Sequence, residues 1–372
     1  MRNNLIYSSL MLIVLISLML SLPAVGFAVG LEPGEVRLSL ISSISTLNKC
    51  GNSDVFDMKL EGNTLFTGGA GGCQSGGSTV YDVSDPSNLV KLYEIDAYPK
   101  HLGIEVRDGV YYAATEQGLF SYKLSGSSAV FMDNLFVEGE GYDIELVGNI
   151  AYYISNKTQG HMFNLSGILT SVDITDPTYM REIGNIVFND YPIGAHPPYP
   201  TNVLVNGNYV YVGKEGFLSV DVRNPGEMSI SGRNDIKKRG GPSLHRQDDM
   251  QISGDRRVFK AHRQYGIFVF FVDNTIPTKP TLETIIDSRT LALGGNIAFR
   301  VEGNKMFVVT AADRQFKVLD VSDVNNPVIL AIATVDGQTN STVEIEIDNI
   351  RKLAFVSTKG YISVFDISRF LP

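Results

Sequence analysis

One short unit recurs through this chain and limits what it can fold into. Val80-Tyr81-Asp82-Val83-Ser84-Asp85-Pro86 returns as Ser171-Val172-Asp173-Ile174-Thr175-Asp176-Pro177 and as Ser219-Val220-Asp221-Val222-Arg223-Asn224-Pro225. Shorter copies are Phe271-Val272-Asp273-Asn274-Thr275, Val318-Leu319-Asp320-Val321-Ser322-Asp323 and Val364-Phe365-Asp366-Ile367-Ser368. A degenerate copy, Ser121-Tyr122-Lys123-Leu124-Ser125-Gly126, fills the remaining gap. The register positions Asp82, Lys123, Asp173, Asp221, Asp273, Asp320 and Asp366 are spaced by roughly 40 to 52 residues, the period of repeat arrays built from one small sheet each.

A second element precedes each copy: a polar turn feeding an aromatic, β-branched strand. Leu60-Glu61-Gly62-Asn63-Thr64-Leu65-Phe66, Val205-Asn206-Gly207-Asn208-Tyr209-Val210-Tyr211 and Val301-Glu302-Gly303-Asn304-Lys305-Met306-Phe307 are the clearest cases. Gly-Asn between alternating apolar runs signals a hairpin, because both residues accept positive φ at low cost. Each period therefore reads as strand, hairpin, strand, loop, strand, Asp turn, strand. Four short antiparallel strands per period describe a propeller blade. The Asp turn needs no ligand: its aspartates can hold backbone N–H groups two residues on, and proline ends the strand. A calcium loop would want 6–8 oxygens, and the turn repeats without the extra carboxylates.

The fold expected is thus all-β, a seven-bladed propeller of four-stranded antiparallel blades. The last period, Val343 to Ile367, supplies only three strands, while a spare strand, Val36 to Leu47, lies before the first blade. Placed as the fourth strand of the last blade, it would close the ring and bury two sheet edges. The turn units resemble LVIVD repeats, in which an apolar strand runs into Asp-Val-Ser-Asp-Pro. The resemblance spans about residues 54 to 368 and implies a secreted or cell-surface propeller. It carries no catalytic motif.

Residues 1–30 read as a signal peptide or N-terminal anchor, separate from a single domain over 31–372. Arg2 precedes an apolar run from Leu5 to Leu22, followed by small residues from Ala24 to Gly30. Export to an oxidising compartment would favour a disulfide between Cys50 and Cys73, the two cysteines of the chain. The formal charge of −9 gives no reason to expect nucleic acid.

Chemistry is sparse. No His-Glu-x-x-His, Gly-x-Ser-x-Gly or Gly-x-x-x-x-Gly-Lys pattern occurs. Ligands of propellers meet the mouth of the central channel. Counting back eight positions from each polar turn gives Asp54, Lys100, Glu140, Tyr199, Arg246, Gly295 and Asn340, with His101, Asp249, Asn296 and Glu344 as neighbours. Of these, Asp54, His101, Glu140, Arg246, Asp249 and Asn296 are the candidate ligand-binding residues. The carboxylates could converge on a divalent cation, but no spacing signature supports a metal, and no cofactor or catalytic residue is assigned.

Three insertions break the period: Asn156–Gly167, Phe188–Pro200 and Arg233–Arg263. Asn156, Asn164 and Asn340 head Asn-x-Ser/Thr sequons, glycosylation candidates in an exported chain. The third insertion carries Lys237, Lys238, Arg239, Arg256 and Arg257, a basic cluster suited to an anionic partner, or else a solvated loop. The functional expectation is an extracytoplasmic, non-enzymatic binding scaffold at the cell envelope, its partner an unidentified envelope protein or polysaccharide. Membrane contact would run only through the N-terminal segment. The alternative is a secreted propeller hydrolase or lyase with a divalent cation at the axis.

Overall fold

A computed structural model of the protein describes residues 36–46, 54–69, 77–95, 99–158, 165–188, 201–214, 216–235, 249–254, 256–262, 265–272, 280–287, 297–311, 313–337 and 342–372. These residues form seven antiparallel sheets and, among themselves, no helix. Six sheets are consecutive in sequence: blade 1 over residues 57–95, blade 2 over 101–135, blade 3 over 140–188, blade 4 over 202–235, blade 5 over 250–287 and blade 6 over 297–334. Blade 7 takes three strands from 344–366 and its outermost one from Ser39–Ser45. The first strand of every blade is innermost, and neighbouring first strands touch all round, Glu344–Asp348 meeting Asp57–Glu61. The ring is closed.

The local reasons are those the repeat suggests. In the hairpins Gly62, Gly148, Gly207 and Gly303 take φ of 55–59°, while the following asparagine does not share the positive φ. That is the glycine-first pattern of a type II′ turn, so only one of the two residues uses its freedom. In the Asp turns the first aspartate accepts the N–H two residues on: Ser84 to Asp82 at 2.8 Å, Thr175 to Asp173 at 3.0 Å, Ser322 to Asp320 at 2.9 Å. The second does the same, Ser87 to Asp85 and Thr178 to Asp176, both at 2.9 Å.

The proline of the turn has a further role that its sequence does not announce. Its carbonyl accepts a hydrogen bond from the preceding blade: Ser121 Oγ to Pro177 O at 2.6 Å and Ser171 Oγ to Pro225 O at 2.7 Å. At the seam, Ser42 of the N-terminal strand donates to Pro86 O at 2.5 Å. The repeated turn is therefore a latch between blades.

Packing follows the ring. Seven hydrophobic clusters occur, one at each junction of adjacent blades. Second and third strands are sandwiched between neighbouring blades, so runs such as Met306-Phe307-Val308-Val309 are buried on both faces. Leu38 enters the cluster between blades 6 and 7, and Ile41 and Ile44 pack on the one between blades 7 and 1. Val36–Arg37 then adds a short parallel strand to the outer edge of blade 6. Residues 36–46 thus touch three consecutive blades. The expected signal segment, residues 1–30, and both cysteines lie outside the described residues.

Candidate functional site

The first strands line a central cavity of about 230 Å³. Their registers place equivalent residues in two rings. The upper ring is Asp57, Gly103, Asp143, Asn202, Asp249, Ala298 and Glu344. The lower ring, two residues on, is Lys59, Glu105, Glu145, Leu204, Gln251, Arg300 and Glu346. Side chains two apart on a strand share a face, so both rings point at the axis. Seven carboxylates and two cations meet there.

The upper ring alternates. Blades 1, 3, 5 and 7 supply acids; blades 2, 4 and 6 supply glycine, asparagine and alanine. The acids reach sideways over their smaller neighbours. Ile104 N–H donates to Asp57 Oδ2 at 2.8 Å, Val203 N–H to Asp143 Oδ2 at 2.8 Å, and Phe299 N–H to Asp249 Oδ2 at 3.0 Å. The lower ring repeats the device with Val205 on Glu145 at 3.0 Å and Val301 on Gln251 at 2.7 Å. Gly103 is obligatory: a Cβ there would stand 2.6 Å from the Asp143 Cα. Lys59 pairs with Glu105 at 2.9 Å, and Arg300 bridges Asp249 at 2.9 Å and Glu346 at 3.3 Å.

Burial governs the charge state. It pushes Asp57 up to about 6 against the pull of Lys59 and the Ile104 amide. It pushes Glu145 up to about 7 despite the Val205 amide and Lys59. Asp143 and Glu344 are raised further, first by burial and then by neighbouring carboxylates. Arg300 is raised, because Asp249 and Glu346 outweigh its desolvation between them. Among the described lining residues two cations stand against seven acids, so acid outnumbers base at the axis.

The residues expected at the channel mouth are only partly there. Asp249 and Glu344 line the cavity; Asp54 and Glu140 lie on the described residues but outside the lining. The hairpin turns are five and three residues past the rings, not eight. Asp54 instead stands 3.9 Å from Lys359, and Glu140 Oε2 accepts the Tyr142 hydroxyl at 3.1 Å. His101 is fully buried between blades 1 and 2, its Nδ1 within 2.8 Å of Ser78 Oγ and 3.0 Å of the Tyr111 hydroxyl. Burial pushes its pKa down to about 3, so the ring is neutral. Arg246, Asn296, Asn164, Asn340, Lys237, Lys238 and Arg239 lie outside the described residues. Asn156 is buried on the second strand of blade 3, unlike the exposed loop expected of a sequon. Arg256 is exposed, but Arg257 forks onto Glu283 at 2.7 and 2.9 Å, and Lys260 of the same basic stretch is buried. Asp57, Lys59, Glu105, Asp143, Glu145, Arg300 and Glu346 line the cavity without having been singled out by the sequence. Their signal was available in the fixed distance, five or three residues, back from the first residue of the hairpin turn. Among the described residues no group of three or more His, Cys, Asp or Glu is placed to hold a metal ion.

Comparison with known proteins bears on the fold. The LVIVD repeat model matches residues 199–235, which is blade 4. No curated protein matches the sequence. A Lactobacillus plantarum protein superposes with a TM-score of 0.61 at 12% identity, over 82% of this chain and 96% of its own. A candidate 6-phosphogluconolactonase of Bacteroides fragilis gives 0.58 at 10% identity, covering 83% and 88%. Sqt1 of Saccharomyces cerevisiae gives 0.57 at 8% identity, covering 89% and 100%. At these identities the likeness speaks for the fold alone. A matched LVIVD repeat in the fourth blade and a ring of seven blades agree with the resemblance that the Asp turns carry.

Proposed function

We propose that this protein is an extracytoplasmic, non-enzymatic binding scaffold that receives an envelope protein or polysaccharide at one end of its ring. The observation carrying this reading is topological. Within each blade the inner hairpin and the Asp turn share one end, so the loop between strands two and three and the connection to the next blade share the other. The strands flanking all three insertions end there: Ile150–Thr158 and Leu165–Asp173, Arg181–Phe188 and Asn202–Asn206, Ser229–Asp235 and Met250–Ile252. The upper ring of the cavity lies in the same half. Insertions on a rigid scaffold are where binding concentrates, and the opposite end is occupied by latches.

A cation-dependent hydrolase would need channel carboxylates aimed at a substrate. Asp57, Asp143 and Asp249 spend theirs on backbone amides of the next blade, and Arg300 takes a further share. That engagement favours the scaffold reading.

In-cell cross-linking of the native protein, read by mass spectrometry, tests it. Partner peptides should join to Lys237 and Lys238, and should disappear when Lys237, Lys238 and Arg239 are all changed to glutamate. Reproducible cross-links confined to Lys123 and Lys352, at the latch end, would overturn it.

A further inference from the structure

His101 opens the first strand of blade 2, and its side chain is wholly buried against blade 1. Its Nδ1 lies 2.8 Å from Ser78 Oγ, on the third strand of blade 1, and 3.0 Å from the Tyr111 hydroxyl, on the second strand of blade 2. The two hydroxyls also bond each other. The rings of Tyr111 and Tyr122 flank the imidazole, their centroids 5.6 and 5.8 Å from its own. Nε2 is buried and has no hydrogen-bond partner among the described residues. One side chain therefore joins two blades through a single nitrogen, and a neutral ring accepts a hydroxyl there.

The elements packed around this ring bring no counter-charge to it. Thr64–Gly68 and Val110–Thr115 hold no charged residue. Ser78–Asp82 ends in Asp82, which caps the Ser84 amide at the far end, and Gly118–Ser125 carries the exposed Lys123. Lys100, next in the chain, pairs with Glu116 at 3.3 Å where both are partly exposed. Lys59 and Glu105 pair with each other, and Asp57 faces the axis and accepts the Ile104 amide. The titratable groups in contact are Tyr111 and Tyr122, and burial holds the Tyr111 phenol well above its ordinary range. A cation formed on His101 would lose its water, meet no carboxylate and turn Nδ1 from acceptor into donor. Attraction to two phenol rings returns only part of that loss.

We propose that His101 makes the junction of blades 1 and 2 acid-sensitive, closed while the imidazole is neutral and opened once it takes up a proton. Ser78 and His101 each begin a strand at the end of the ring that carries the insertions, so the opening falls on that face. Direction follows from linkage. A histidine that binds its proton less firmly in the fold than in the unfolded chain contributes stability that is complete above the unfolded value near 6.5. That contribution is lost as pH falls toward the folded value of about 3, which burial alone sets. From pH 7.5 to 5.0 this one group shifts the unfolding constant about 30-fold toward the unfolded chain. The cavity works in the opposite sense: Asp57, near 6, and Glu145, near 7, take up protons more readily in the fold as pH falls. The effect is therefore read as a difference between the native chain and a histidine variant.

The test is urea unfolding of the full chain at pH 7.5 and at pH 5.0, beside His101→Asn, whose amide oxygen stands in for Nδ1 and does not titrate. The other four histidines and the cavity carboxyls are common to both chains and cancel. On going to pH 5.0 the unfolding constant of the native chain should rise about 30-fold more than that of the variant. A relative rise below about threefold overturns the proposal. Hydrogen exchange on the native chain, corrected for its intrinsic pH dependence, locates the effect and decides alone should His101→Asn fail to fold. Protection in Ser78–Asp82 and His101–Arg107 should fall from pH 7.5 to 5.0 relative to Tyr209–Lys214 of blade 4. Parallel behaviour of all three strands refutes a junction effect.

Discussion

Replacing Leu38 by alanine isolates what the N-terminal segment does for ring closure. Leu38 is 8% exposed and sits in the cluster between blades 6 and 7, against residues such as Ala331 and Val335. Two positions on, Leu40 is 50% exposed on the same segment. Truncating a buried leucine costs about 2–5 kcal/mol, and an edge position that can partly collapse belongs near 2.5. Unfolding entropy scales with length, so for a body spanning 36–372 each kcal/mol moves the midpoint by about 1.5 °C. Leu38→Ala should therefore lower the midpoint by about 4 °C. Leu40→Ala removes a side chain already half in water and should cost under ~0.5 kcal/mol, a shift below ~1 °C. Both can be followed by far-ultraviolet circular dichroism and by tyrosine fluorescence, which is clean because the chain has no tryptophan. A Leu38 variant melting with the native chain, or a Leu40 variant harmed as much as it, would refute the idea that residues 36–46 close the ring through their buried face.

The blade-to-blade latch predicts that Ser171→Ala, which loses the bond to the Pro225 carbonyl, costs about 1 kcal/mol in urea unfolding. An unaltered urea midpoint would mean the contact contributes nothing net. The packing of the upper ring predicts that Gly103→Ala costs several times more than Gly126→Ala, whose new methyl would meet nothing within 4 Å. Comparable melting of the two variants would contradict the close approach of blades 2 and 3.

Much of the architecture was legible because its causes are local. An Asx turn or a glycine-first hairpin forms between residues two or three apart, so Asp173 with Thr175, or Gly207 with its flanking strands, declares itself without knowledge of the rest. Repetition then turned a weak local signal into a count of blades. Even the displaced strand could be placed, since the last period came up one strand short. The channel residues were harder. An error of three positions is odd, and along a strand an odd error turns every side chain to the opposite face. Counting eight back from Gly62 therefore lands on Asp54, beside Lys359, while counting five lands on Asp57, at the axis. His101 shows a different loss: its polarity suggested a mouth, and its burial against Ser78 and Tyr111 depends on how blades 1 and 2 pack.

By itself, then, the sequence determined the number, order and turn chemistry of the strands, because those depend on contacts within one hairpin or one turn. Tertiary structure alone decided which acids face one another. Asp57 and Glu344 stand at opposite ends of the chain, and no local rule relates them. Only a ring closed on itself brings the first strands of blades 7 and 1 together and puts both residues in one cavity.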